Sequence, residues 1–170
     1  LTTAAIEGYG LRFTEYTDED RGYLRAVGDG LFDVDNDPRP LPVGAEGGAF
    51  TVRRDDVREP LGAVSWVAML HGPSYPCLAY NIGIVLAPDA RGRGVGTAAQ
   101  RLLLEYLFAY TDVYRVEAST DVDNLAEQRC LERIGMRREG VLRGAQLRAG
   151  MRRDVVLYAV LRDDPAIAGE

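Results

Sequence analysis

The sequence predicts one α+β domain over residues 1–170, a mixed sheet flanked by helices. Three observations carry that expectation. Strand-like and helix-like segments follow the order β-α-β-β-β-α-β-α-β-β, whereas a doubly wound fold would alternate them strictly. A chain of 170 residues with 46% apolar side chains fills one core and is too short for two comfortable domains. No internal repeat or long low-complexity linker divides it.

Each element has a local cause. Leu11-Arg12-Phe13 reads as an opening strand, and Thr17-Asp18-Glu19-Asp20 supplies the N-cap signal of a helix running to about Val27. The stretch from Asp33 to Gly44 is rich in Asp, Pro and Gly and is expected to be irregular, in a length class where loops are often functional. Phe50–Arg53 and Leu61–Met69 are strands joined by a charged turn at Asp55-Asp56. The connection His71-Gly72-Pro73-Ser74-Tyr75-Pro76 leads to Tyr80–Leu86, a short β-branched run that Pro88 ends. From Thr97 onward, Ala98/Ala99, Leu102/Leu103, Tyr106/Leu107 and Tyr110 recur at helical spacing. Arg115–Ser119 alternates as a strand, and Asn124–Ile134 is a short helix stopped by Gly135. Gly140–Leu142 and Val155–Val160 close the chain as strands around an arginine-rich turn.

The most informative stretch is Arg91-Gly92-Arg93-Gly94-Val95-Gly96, set between the Tyr80–Leu86 strand and the helix that follows. Strand, glycine-rich turn and helix start together make an anion site. Glycines let the backbone come close, unpaired N–H groups point outward, and the helix dipole favours negative charge. Arg91 and Arg93 add positive charge, and a pyrophosphate is the natural ligand of such a cradle. Two nucleotide templates fail on it. The dinucleotide fingerprint G-x-G-x-x-G needs a glycine where Thr97 stands. The P-loop needs lysine, and all 20 basic residues here are arginine.

With Arg91, Gly94 and Gly96 on the signature positions, the loop resembles the R/Q-x-x-G-x-G/A loop of the GNAT superfamily of N-acetyltransferases. A second stretch supports the likeness. Asn124-Leu125-Ala126-Glu127-Gln128-Arg129-Cys130-Leu131-Glu132-Arg133-Ile134-Gly135-Met136, followed by Arg138-Glu139-Gly140-Val141-Leu142-Arg143, is similar to the N-x-x-S-x-x-x-L-E-K-x-G-F…EG-x-x-R pattern of the RimJ/RimL-like ribosomal-protein branch. Asp154 and Tyr158 fall where that branch carries D-x-x-x-Y, so the likeness covers about residues 10–162. It implies a mixed, mostly antiparallel central sheet of six to seven strands flanked by helices. It also implies a cytoplasmic enzyme that passes an acetyl group from acetyl-CoA, as co-substrate, to a primary amine of a small molecule or a protein N-terminus.

The resemblance assigns roles residue by residue. The strand before the loop would splay from its neighbour, leaving backbone groups of Ile84, Val85 and Leu86 to pair with pantetheine. The N–H groups of Gly92, Arg93, Gly94, Val95 and Gly96 would take the pyrophosphate beside Arg91, with the Thr97 hydroxyl at the helix start. Asn124 matches an asparagine that contacts pantetheine, a role that can coexist with an N-cap. Arg129 is either a contact for the nucleotide end or an exposed helix residue. Two positions depart from the branch. Glu127 replaces a serine placed to protonate the leaving thiolate, and Gln146 replaces a glutamate proposed as base. Glutamine cannot take a proton. Glu127 remains the candidate catalytic residue if burial raises its pKa, and as a first-turn acid it is also a helix-dipole partner. These departures keep a second reading open, a non-catalytic acyl-CoA-binding sensor or scaffold.

For the acceptor, Asp33 and Asp35 could hold an ammonium or simply solvate their loop, Tyr80 and Trp66 could line either the core or a cleft, and Asp154 reads as a structural or substrate-binding carboxylate. His71, the only histidine, suits proton transfer near neutral pH but adjoins a Gly72-Pro73 turn.

Charge and composition narrow the partners. Net charge is −6, and residues 1–60 account for all of it with 13 acidic side chains against 7 arginines. An acidic chain argues against general nucleic-acid binding. The acidic third would suit a cationic amine acceptor or simply form a solvated face. No apolar run approaches the roughly 20 residues a membrane helix needs, and Leu1–Gly10 lacks the regions of a signal peptide. Cys77 and Cys130 make no disulfide framework and no His/Cys spacing suggests a metal, which fits a reducing cytoplasm. By analogy with the fold, edge strands could pair in a homodimer.

Overall fold

Tyr9 and Gly10 both take positive φ, 54° and 72°, which makes a tight two-residue turn whose twist matches a hairpin. That turn joins β1 (Ile6–Gly8) to β2 (Leu11–Glu15). The structure, a computed structural model, describes residues 6–32 and 47–165. Asp33 and Asp35 therefore lie outside the described residues.

Helix α1 (Asp18–Val27) starts in a capping box in which Thr17 and Asp20 satisfy each other's backbone N–H groups. Asp20 does more than cap. Its carboxylate is buried, accepts from Thr51 Oγ1 at 2.9 Å and from Arg53 Nη2 at 2.5 Å, and so pins the helix to β3 (Gly47–Arg54). Burial opposes its ionisation, but the hydrogen bonds from Thr51 and Thr17 and the Arg53 charge overcome that and hold its pKa below the usual range.

Strand β4 (Val57–Leu70) leads through a short 3-10 turn to β5 (Leu78–Leu86), then α2 (Val95–Tyr110), β6 (Arg115–Asp121), α3 (Leu125–Arg133), β7 (Arg137–Arg148) and β8 (Met151–Leu161). The sheet order is β1-β2-β3-β4-β5-β6-β8-β7, with every neighbouring pair antiparallel except β5–β6. The sheet thus has eight strands where six to seven were expected, and β1 is the addition. Mixed class, mostly antiparallel pairing and flanking helices stand.

Successive residues of a strand point to opposite faces. On β4, Val64 joins the main core while Ala63 joins a smaller cluster with Leu24 of α1 and Ala87. Helix α2 buries Leu103, Leu104 and Leu107 in the main core together with Leu131 of α3, so α2 and α3 share one face and α1 covers part of the other. Phe50, Trp66 and Tyr106 pack ring against ring on the α2 face, with centroids 5.1–5.9 Å apart, which answers the question of Trp66 in favour of the core.

Candidate functional site

The register between β5 and β6 runs Ala79↔Arg115, Tyr80↔Val116, Asn81↔Glu117 and Ile82↔Ala118, and then stops. Beyond it β5 continues to Leu86 paired with β4 alone, and β6 continues to Asp121 paired with β8 alone. The two parallel strands therefore diverge, and Gly83–Leu86 turn a backbone edge with no strand partner towards the gap. Such an edge needs partners, and an extended amide-bearing chain supplies them. Ile84, Val85 and Leu86, expected to face pantetheine, form this edge.

The glycine loop closes the same end of the gap. Gly92 and Gly94 have φ of 70° and 80°, and a Cβ built on either would meet nothing within 4 Å. Gly94 is the N-cap of α2 and no side chain caps the helix, so the amides of its first turn lack an acidic or hydroxyl partner from this residue. A chain reversal with open space in front of uncapped amides fits a diphosphate. Arg93 is exposed beside it. Arg91 is otherwise engaged. Its guanidinium meets Asp29 through Nη1 at 2.5 Å and Nη2 at 3.1 Å, and Nε and Nη2 also donate to Leu86 O at 3.3 and 3.1 Å. The hydrogen bonds from Arg91 hold the Asp29 carboxyl below its ordinary pKa. Arg91 thus lashes the loop to the end of α1, beside a cleft of about 440 Å³ that Val85, Leu24 and Tyr16 also line.

Helix α3 approaches from the other side. Asn124 is its N-cap, accepting from Glu127 N at 3.3 Å and donating from Nδ2 to Thr120 Oγ1 at 3.0 Å. Glu127 faces α2, where burial raises its pKa to about 6 while a hydrogen bond from the buried Gln100 restrains the rise. Cys130, one turn on, lies 2.9 Å from Thr97 Oγ1, and burial pushes its thiol pKa up. Loop, α2 start, Glu127 and Asn124 are thus brought together around the gap. Arg129 is exposed on α3.

The acceptor candidates disperse. Tyr80 is buried in the main core. Asp154 Oδ1 accepts from Gly144 N at 2.7 Å and so holds an irregularity of the β7–β8 hairpin, in which Gln146 pairs with Arg153. Tyr158 is fully buried and donates to Glu132 Oε1 at 3.0 Å, which explains why both occur in the α3-to-β8 pattern. Reading the sequence missed Glu117, which is 2% exposed and accepts from His71 Nε2 and Arg115 Nε, each at 2.6 Å. Its only signal was an acid between Val116 and Ala118, and Ser119 made that look like ordinary alternation. Among the described residues no group of His, Cys, Asp and Glu is placed to hold a metal, and no helix is long and apolar enough to cross a membrane.

A family model described as an acetyltransferase (GNAT) domain matches residues 31–137. The chain is 31% identical over 117 residues to a protein named as a probable N-acetyltransferase, YjcK of Bacillus subtilis (strain 168), covering 69% of this chain and 61% of that one. It spans about half to three fifths of the length of the curated relatives it matches first. Among solved structures, ribosomal-protein-S5-alanine acetyltransferase from Vibrio fischeri superposes with a TM-score of 0.76 at 15% identity, covering 95% of this chain and 98% of that one. Mycobacterium smegmatis RimJ, solved with CoA-disulfide, gives 0.72 at 18% identity over 93% and 86% of the two chains. At such identities the structural likeness speaks for the fold.

Proposed function

Because the chain belongs to the GNAT acetyltransferase family, we propose that it transfers an acetyl group from acetyl-CoA to a primary amine, on a small molecule or a protein N-terminus, in the cytoplasm. The observation that carries the reading is the divergence of β5 and β6 beyond Ile82↔Ala118, closed at one end by the uncapped start of α2. Acetyl-CoA supplies a thioester carbonyl that needs little further activation. The chain's part is to hold and orient. The edge of Ile84, Val85 and Leu86 pairs with pantetheine amides, and the amides of Gly92–Gly96 with Thr97 take the diphosphate. Asn124 offers its remaining amide hydrogen, and Arg93 and Arg129 lie exposed for the nucleotide end. Arg91 acts by fixing the loop rather than by touching phosphate.

Glu127 is the proton donor to the departing sulfur. A carboxyl with a pKa of about 6 keeps a usable protonated fraction near neutrality, which an ordinary exposed glutamate does not. The replacement of both acid–base positions of the ribosomal-protein branch also favours a second reading, a module that binds acyl-CoA without turnover. Calorimetry with acetyl-CoA, followed by free-thiol release over polyamines, amino acids, aminoglycosides and peptide N-termini, decides. Binding with turnover supports the enzyme. Binding without thiol release from any amine supports the module, and no binding refutes both.

A further inference from the structure

Glu117 lies one register step before the last β5–β6 pair, next to the point where the strands part. Val116 and Ala118 on either side of it join the α2-face core, so its carboxylate emerges on the opposite face. Helices α2 and α3 cover the first face and α1 only part of the second, against Ala63 of β4, which leaves the rest of the second face for an incoming acceptor. A carboxylate only 3% exposed needs compensation, and it receives it from a chain of fixed groups. Glu117 Oε1 accepts from Arg115 Nε and from His71 Nε2, each at 2.6 Å. Arg115 is shared with Glu139 of β7, donating from Nη1 at 2.9 Å and from Nη2 more closely still. Two carboxylates and one guanidinium leave a single negative charge while the imidazole is neutral, and a proton on His71 cancels it.

His71 is set for that proton. It follows the end of β4, and its backbone N–H donates to Cys77 O at 3.0 Å. Its ring reaches back over β5 to β6, and the residue of β5 beside Arg115 is Ala79, whose methyl group leaves room. The His71 side chain is 50% exposed, and among the described residues Nδ1 has no hydrogen-bond partner. A half-open imidazole held through one nitrogen by a buried carboxylate is the arrangement that turns histidine into an oriented base. The charged and titratable groups around it are Glu117 and Arg115 of β6, Glu139 of β7 and Cys77 of the turn that follows His71.

We propose that His71 is the base that accepts the acceptor's proton, with Glu117 as the positioning residue behind it; the inference rests on the acetyl-transfer reading above. In the balanced step one proton passes from the acceptor ammonium to His71 Nδ1. The freed nitrogen pair forms the bond to the acetyl carbon, and the carbon–sulfur bond breaks with its electrons going to sulfur. Glu127 gives the sulfur a proton and regains one from the nitrogen as the adduct collapses. His71 then releases one proton to solvent per turnover, and no redox partner is needed.

The test compares the full chain with His71→Gln and Glu117→Gln, using thiol release from acetyl-CoA and the fastest acceptor among 2-phenylethylamine, spermidine, kanamycin and an N-terminal-alanine peptide. His71→Gln lowers kcat about 100-fold or more, leaves KM for acetyl-CoA within about twofold, abolishes the acidic limb of kcat/KM and is partly rescued by free imidazole. Glu117→Gln, which keeps a hydrogen-bonding group but removes the charge, lowers kcat about tenfold or more while KM for acetyl-CoA stays within about twofold. A His71→Gln enzyme with kcat within about threefold of the parent and the same pH profile overturns the inference and leaves acetyl transfer standing. A parent protein that binds acetyl-CoA but acetylates none of the four amines counts against the transfer reading and takes this inference with it.

Discussion

Replacing Gly94 with alanine separates a folding cost from a binding cost. At φ of 80° an L-residue pays about 1–2 kcal/mol. The added Cβ meets nothing within 4 Å, so no packing penalty joins it. For a chain of this size 1–2 kcal/mol lowers Tm by roughly 2–8 °C. The empty space in front of Gly94 is also where the diphosphate is proposed to rest, and a methyl group there pushes it off the amides. Each charge-assisted hydrogen bond lost is worth about 1.5–3 kcal/mol, so acetyl-CoA affinity falls at least about tenfold. Gly10→Ala is the control, with φ of 72°, open space around its Cβ and a place in the β1–β2 turn. It takes the same fall in Tm and no change in affinity. Gly96→Ala is a second control, because its Cβ would lie 3.4 Å from Leu86 Cδ1 and 3.6 Å from Cys130 Sγ, ordinary contacts, and it leaves Tm unchanged or higher. Calorimetric Tm and isothermal titration with acetyl-CoA read both quantities. Should Gly94→Ala lose stability like Gly10→Ala yet bind acetyl-CoA within about twofold of the parent, the loop is not the diphosphate site.

Glu127→Gln removes the proposed acid: kcat at pH 6 falls about 100-fold, and the parent's decline in rate above pH 6 disappears from the pH–rate profile. The same substitution stabilises. A carboxyl raised from 4.5 to about 6 by folding contributes stability that is complete below pH 4.5 and is lost as pH rises through 6, so Tm increases at pH 8 and not at pH 4. Asp20→Ala breaks the capping box and a buried ion pair and costs about 3 kcal/mol by urea unfolding. Because the Asp20 pKa is depressed in the folded state, the parent loses that contribution only as pH drops below about 4. Tyr158→Phe deletes the hydrogen bond from the buried Tyr158 to the exposed Glu132, costs about 1 kcal/mol in the same assay and leaves kcat within about twofold.

What could be read in advance was what a short stretch of residues dictates. Gly92 and Gly94 announced a backbone open to close approach, and both take positive φ in the structure, angles that no other residue adopts at so little cost. Thr17 and Asp20 announced the start of α1 by spacing alone. Asn124 is the N-cap that its residue type allows, and Arg129 is exposed on α3, as both of its readings require. The β1–β2 hairpin escaped because Tyr9-Gly10 lacks the Asn-Gly or Asp-Gly signal of such turns. Long-range pairings escaped altogether. Arg91 carries the right charge for a phosphate, but Asp29, 62 residues away, takes it. Glu117 and His71 are 46 residues apart and meet only because β4, β5 and β6 lie side by side. Ion pairs of this kind depend on strand order and register, which hydrophobic periodicity does not encode.

The central claim is that the acyl carrier's diphosphate lies on the backbone where α2 begins, and a crystal structure of the protein with acetyl-CoA tests it directly. The account predicts diphosphate oxygens about 3 Å from amide nitrogens within Gly92–Gly96 and pantetheine alongside Ile84–Leu86. Diphosphate density against any other surface, with those amides still facing open space, contradicts it.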